Sequence, residues 1–213
     1  DAYQGLLFEA TKRQITYQEQ KTYFDVLRLT VDDKYSWDFA MLGVGLRYIN
    51  GVGKPDMLHY VESFGMEGHY DFASNRGYIW SRTFPLLKRA LLLGVGQDNF
   101  AYAFPNDDYV GKENCGFNEQ IVTKPHNMYL QIWVQDGLPA LLAFLALYLL
   151  LFGRTIRKCF KKGKWNHSQK ISLAFLCGVS GYFVAGLAND SSICVAPVFW
   201  VLFGVAFAVL RSE

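Results

Sequence analysis

Apolar residues gather into three long blocks at the end of the chain, over residues 138–156, 171–188 and 193–210. The first opens with LPALLAFLALYLLLF (residues 138–152) without a charge, and its full 19 residues to Ile156 make a helix of about 28 Å, close to a bilayer core of about 30 Å. Pro139 fits its first turn, where the missing N–H costs nothing, and Arg154 is near enough to the end to snorkel. The second block carries Ser172, Gly178, Ser180, Gly181 and Gly186, small residues that permit close helix packing. The third holds Pro197 in its first turns, with Phe199 and Trp200 among apolar neighbours. A helix at the surface of a soluble protein would show a polar stripe, and these blocks are apolar on every side. The pattern therefore predicts three membrane spans.

Ahead of them the pattern is mixed. Leu6, Leu7 and Ala10, then Tyr23, Val26, Leu27 and Thr30, recur at helical spacing and predict one or two helices over residues 3–29. Residues 39–52 are apolar but broken by Arg47 and glycines, which predicts a buried or membrane-skimming stretch. Residues 53–74 read as loop, with a turn of helix over 56–63. A longer helix follows over residues 75–92, with an irregularity expected at Pro85 and with Trp80, Phe84, Leu87 and Leu91 on one face. Gly94 and Gly96 end it as a turn, Asp98 or Asn99 caps a helix from Phe100, and residues 105–123 form an irregular loop. Asn127 is placed to cap a short helix over 128–134, which Gly137 interrupts before the first span.

Charge gives the arrangement a direction. Of 19 acidic residues, only Asp190 and Glu213 follow Leu138, and residues 154–170 carry seven Lys/Arg and no acid. A short basic loop is the mark of the cytoplasmic side, so residues 1–136 are expected outside and the Asn189–Asp190–Ser191–Ser192 turn returns there. A net charge of +2 gives no reason to expect a nucleic-acid partner. The four cysteines read as separate thiols, and no spacing suits zinc. His59 and His69 lack a supporting cluster, and the acids Asp107, Asp108 and Glu113 read as a solvated loop rather than a metal site. The chain opens at Asp1 without methionine or a leader pattern, which predicts processing or excision.

An ordered set of short motifs runs through this region. Arg76 precedes Trp80, a helix with Pro85–Leu86–Leu87 follows, then Leu93–Gly94–Val95–Gly96–Gln97–Asp98–Asn99–Phe100. Next come His126–Asn127–Met128–Tyr129–Leu130–Gln131 and Asp136–Gly137–Leu138 leading into an apolar helix. In this order they resemble the O-antigen ligase / O-antigen polymerase superfamily of polytopic membrane glycosyltransferases, over about residues 74–210. The resemblance implies a lipid-diphosphate donor, typically undecaprenyl-linked, a glycan acceptor, and an N-terminal membrane bundle as partner. It implies direct, inverting transfer with no cofactor and no obligatory metal. Arg76 matches the family's external arginine and would clamp the diphosphate, and His126 matches its histidine and would act as base. Arg82, Lys88, Arg89, Asn127, Tyr129 and, in second rank, Asp190 would bind substrate.

The expectation is thus an all-α fragment of a multi-pass protein of the bacterial cytoplasmic membrane. A variable external segment (1–73) precedes a catalytic-loop region (74–136) and a membrane region (137–213). The expected function is a polymerase or ligase of lipid-linked glycans in cell-surface and cell-wall polysaccharide synthesis. The extended aromatic external segment resembles that of wall-polysaccharide members and favours polymerase. A flippase of the same substrate is disfavoured by the lack of charge within the blocks, and a non-catalytic scaffold is the third reading.

Overall fold

The computed structural model describes residues 5–17, 20–33, 35–43, 45–51, 53–116, 120–160 and 165–211. Asp1, residues 161–164 of the expected basic loop and Glu213 lie outside them. The chain divides into two compact units, one of residues 1–78 with 105–121, the other of residues 79–104 with 122–213.

The first unit corrects the all-α expectation: the fold is mixed α/β. Five strands, β1 (Leu6–Tyr17), β2 (Gln20–Val31), β3 (Tyr35–Leu42), β4 (Gly45–Ile49) and β5 (Pro55–Asp56), form an antiparallel meander in that order. Of the residues read as helix over 3–29, those described form strands β1 and β2, paired from Leu6↔Val31 to Tyr17↔Gln20, and residues 3, 4, 18 and 19 lie outside the described residues. Within the apolar stretch 39–52, residues 39–42 belong to β3 and 45–49 to β4, which pair antiparallel. The expected turn of helix over 56–63 is absent, since residues beyond β5 are irregular. The physical reason is composition: Thr11, Ile15, Thr22, Tyr23, Phe24, Val26, Thr30 and Val31 are β-branched or aromatic, and such residues favour the pleated surface. Ile15, Val26, Ala40 and Ile49 fall on one face of this register and form a buried core. On that face Asp38 receives both Arg28 (Nε–Oδ1 2.7 Å, Nη2–Oδ2 2.9 Å) and Arg13 (2.6 Å). The Arg28 hydrogen bond holds the Asp38 carboxyl below its ordinary range against the opposing effect of burial.

Helix α1 (Phe72–Arg89) is broken at Ala73, Ser74 and Asn75, with φ of 51°, 60° and 64°, and not at Pro85. Its buried side presents Ile79 and Leu86 with Ser81, Arg82 and Thr83, while Leu91, beyond its end, is exposed, so the expected apolar face is displaced. The expected loop 105–123 contains a helix, α3 (Tyr109–Asn114), which follows the short α2 (Phe100–Ala103). Asp108 caps α3 at Gly111 N (3.0 Å) and accepts from the buried Tyr78 hydroxyl (3.0 Å). Tyr109 packs on Tyr48 and donates to Asp56 at 2.5 Å; burial pushes its hydroxyl up to about 12.

The second unit holds α4 (Met128–Asp136), α5 (Leu138–Cys159), α6 (His167–Ala185) and α7 (Ala196–Arg211). Phe183 is the centre of an aromatic core, stacked on Phe144 at 4.7 Å and Tyr148 at 4.1 Å, with Tyr182 on Phe199 at 4.0 Å. At 22 residues α5 is about 33 Å long and, among the described residues, is the one helix long and apolar enough to cross a membrane. Only 22% of its apolar window is buried, which sets it apart from a core helix of a soluble protein. The three-span expectation is corrected accordingly. The block 171–188 belongs to α6, which spends its first turn on His167, Ser168, Gln169 and Lys170. The block 193–210 belongs to α7, whose 16 residues reach about 24 Å.

Candidate active site

His126 is set by its neighbours on both sides. Pro125 is buried and its carbonyl accepts the Trp80 indole N–H at 2.8 Å. Asn127 is extended and caps α4, its Oδ1 accepting from Tyr129 N and Leu130 N at 3.0 Å each. Between these two anchors His126 takes a left-handed backbone, φ 52°. That conformation is unfavourable for a non-glycine residue and persists where the surroundings fix it.

The start of α4 is docked on the α6–α7 connection. Met128 N donates to Gly186 O (2.8 Å), Asn127 Nδ2 to Leu187 O (2.9 Å), and the Tyr129 hydroxyl to Phe183 O (2.6 Å). Ser191 N donates to Gln131 Oε1 at 2.8 Å, tying the far side of the turn. The result brings Asp190 to His126, with Nδ1–Oδ2 at 2.8 Å. The imidazole is 48% exposed and the carboxylate 12%, so an open ring rests on a mostly covered acid. With Nδ1–H donated to Asp190, Nε2 carries the lone pair, the arrangement of an oriented general base.

The opposite end of α4 is held by the glycine turn. Val95 N and Gly96 N donate to Val134 O (2.8 Å) and Gln135 O (3.0 Å), satisfying carbonyls that a helix end leaves unpaired. A Cβ on Gly94 would lie 2.0 Å from the Gln135 carbonyl carbon, so the approach demands glycine there. Gly96, with φ +97°, completes the turn.

Arg76 lies in the sheet-bearing unit, at the first right-handed residue after the left-handed turn 73–75. Asn75 Nδ2 anchors that turn to Cys115 O at 2.7 Å. A Cβ on Gly77 would meet His69 O at 2.1 Å, so the chain passes tightly just after Arg76. Arg82 is buried and donates to Ser81 Oγ at 2.9 Å, whereas Lys88 and Arg89 are exposed at the end of α1. Among the described residues no group of three or more His, Cys, Asp or Glu is arranged to hold a metal. Asp107 instead meets His59 at 3.1 Å.

The sequence treated Trp80 as a motif residue and Asp190 as second rank. Neither the indole tether to Pro125 nor the pairing of His126 with Asp190 follows from spacing. The only signal was that each occurs beside a motif or turn assigned to the same side.

A close His–Asp pair stands near one end of a long, largely uncovered apolar helix of the length a membrane-associated protein uses. The O-antigen ligase family matches residues 35–145, just over half of the sequence, and the chain belongs to that family. The match reaches further upstream than residue 74, taking in β3 to β5, and ends inside α5 before Asp190. No curated protein and no solved structure matches.

Proposed function

We propose that the chain transfers a glycan from a lipid-linked diphosphate donor, of the undecaprenyl type, to a hydroxyl of a second glycan, acting as a polysaccharide polymerase or ligase. The observation that carries this reading is the 2.8 Å bond from His126 to Asp190, which leaves Nε2 open on a half-exposed ring. Nε2 takes the proton of the acceptor hydroxyl as that oxygen attacks the anomeric carbon. The new glycosidic bond forms as the bond to the diphosphate breaks, with inversion, and the lipid diphosphate leaves with the electron pair. Asp190 stabilises the imidazolium that results. Arg76 is the group proposed to neutralise the leaving diphosphate, since a planar guanidinium matches phosphate oxygens with two donors.

The charge pattern of α5 supports an orientation in the membrane. Arg154, Arg157 and Lys158 occupy its last turns, and basic residues mark the cytoplasmic end. The α4 end of the helix, with His126, is then extracytoplasmic, on the bacterial cytoplasmic membrane. The long aromatic segment ahead of α1 favours polymerase over ligase.

The test is reconstitution in lipid nanodiscs with undecaprenyl-diphosphate glycan and acceptor, comparing product length for the wild type, Arg76→Ala and His126→Ala, with EDTA as control. Long chains from the wild type alone support a polymerase, and a single transfer to a distinct acceptor supports a ligase. Unchanged product from both variants refutes the site.

A further inference from the structure

Within the helical unit, α4 and the α6–α7 connection enclose two adjoining cavities of about 520 and 450 Å³, which share Lys124, Met128, Tyr182, Ser191 and Ser192 as walls. Two residues on these walls each carry a buried polar atom that has no partner among the described residues. Gln135, 3% exposed, lines the larger cavity and leaves Nε2 without an acceptor. Asp190 lines the smaller one and leaves Oδ1 without a donor, its other oxygen being taken by His126. Leaving a buried polar group unpaired costs more than a hydrogen bond yields, so such orphans mark places where something else binds. The two are of opposite kind, one donor and one acceptor. A hydroxyl-bearing ligand satisfies both. The terminal torsion of a glutamine is broad, so the Gln135 amide turns toward the cavity at little cost.

The rest of the lining narrows the ligand. Gln97, whose amide donates to Asp136 at 2.6 Å, and Asp98 offer amide and carboxylate groups of the kind that hold sugar hydroxyls. Phe144, Phe199 and Trp200 supply an aromatic wall for the C–H face of a ring. Charge decides the remainder. Asp98, Asp136 and Asp190 face these cavities against the single ammonium of Lys124. Such a balance repels a diphosphate or a uronate and accepts a neutral ring.

We propose that these cavities form the acceptor subsite and bind a neutral, hydroxyl-rich hexose ring, with the Gln135 amide and the free oxygen of Asp190 reading its hydroxyls. The role as acceptor rests on the transfer reaction proposed above; the binding of a neutral sugar does not.

The experiment is saturation-transfer NMR on the full chain in nanodiscs, titrated with methyl β-D-glucopyranoside and, as anionic control, methyl β-D-glucuronide. The glucoside is expected to bind and the glucuronide at least tenfold more weakly. Gln135→Leu removes an unsatisfied buried amide, so it folds with an unchanged or higher Tm and binds the glucoside about five- to tenfold more weakly. Trp200→Leu, at a half-exposed position, weakens binding as well and carries the test should Gln135→Leu fail to fold. Equal binding by the wild type and these variants, a preference for the glucuronide, or no saturation transfer (water alone then fills the orphans) overturns the proposal. Loss of transfer in His126→Ala with unaltered glucoside binding in Gln135→Leu sinks this inference alone. Full transfer in His126→Ala with binding lost in Gln135→Leu sinks the proposed reaction and leaves the sugar subsite standing.

Discussion

Asp190→Asn isolates the pairing on which the proposed chemistry depends. The substitution keeps the shape of the side chain, the reach to His126 and the turn that holds it. It removes the charge and lets the amide present a donor to Nδ1, which favours the tautomer with its lone pair on the wrong nitrogen. The bond is short, 2.8 Å, and the carboxylate is 12% exposed, so solvent screens it little. A charge-assisted hydrogen bond contributes about 1.5–3 kcal/mol, which at about 1.4 kcal/mol per decade corresponds to a fall in kcat of about 10- to 150-fold. Removal of the base itself in His126→Ala costs about 100- to 10,000-fold. The informative quantity is their combination. If Asp190 acts through His126, the double variant is no slower than His126→Ala alone, because the orienting group has nothing left to orient. Initial rates of glycan transfer in nanodiscs, with KM measured for donor and acceptor separately, give the full cycle. Multiplicative losses in the double variant would refute the orienting role and leave Asp190 as an independent contact. A rate for Asp190→Asn equal to wild type would refute the base assignment as drawn.

Three further outcomes follow from the same geometry. Trp80→Phe removes the donor to Pro125 O (2.8 Å) but keeps an aromatic ring, and is expected to lower kcat about two- to tenfold with a small change in Tm, read by transfer rate and thermal melt. Gly94→Ala drives a methyl to 2.0 Å from the Gln135 carbonyl carbon, which neither backbone yields easily; destabilisation of about 2–3 kcal/mol or more is expected in denaturant titration, whereas Gly178→Ala, with open space around it, stays near wild type. Asp38 has a depressed folded pKa, so the stability it contributes is present above its unfolded value of about 3.9 and is lost as pH falls through the folded value. Asp38→Asn should therefore lower the stability of the sheet by about 0.5–1 kcal/mol at neutral pH, because solvent screens the half-exposed arginines, and flatten its acid dependence, measured by hydrogen exchange of β2 and β3 between pH 6 and pH 2.

How much of this was legible in the sequence differs by region. The short-range signals of the second unit were clear: Asn127 caps α4, Gly137 stops it, Pro139 opens α5, and the glycine turn stands where its spacing put it. Each is a local matter, decided by backbone geometry within a few residues. The β1–β2 hairpin was misread because Leu6, Leu7 and Ala10 satisfy helical spacing by coincidence, while the pairing that decides the outcome joins residues up to 25 apart. β-branched content was the better guide there, since a strand is stabilised by its neighbours rather than by its own period. Spans failed differently. Apolar composition identified the right segments, but length as helix depends on where the turns fall, and the turn 186–195 shortened both flanking helices. As for the site, His126, Arg76 and Asp190 were each named, yet the sequence held no information that His126 and Asp190 touch.

Both residues to which the chemistry is assigned stand beside backbone that chain chirality disfavours. Arg76 follows three successive left-handed residues, and His126 is itself left-handed. Each such residue costs about 1–2 kcal/mol, and none of the four is glycine. A sequence under pressure for stability alone would place glycine or asparagine at these positions, and only Asn75 does so. The cost is met locally in both places: at Arg76 by Asn75 Nδ2 on Cys115 O and Tyr78 N on Tyr70 O, at His126 by Trp80 on Pro125 O and the Asn127 cap. These anchors take up hydrogen-bonding groups of the neighbours, and among the described residues the ring of His126 is tied to Asp190. Rigid flanks around a sparsely tied side chain are what a proton-transfer group requires, because the ring must hold its direction while Nε2 stays open to the acceptor. Relief of the strain is thus the discriminating perturbation. His126→Gly and His126→Ala both lose the bond to Asp190 and the base, so both should transfer at least about 100-fold more slowly, but the glycine variant should be the more stable of the two by about 1 kcal/mol, and exogenous imidazole should restore part of its rate if the backbone on either side is already in place. A His126→Gly protein no more stable than His126→Ala would show that the left-handed residue is not strained, and a preorganised base would be refuted with it.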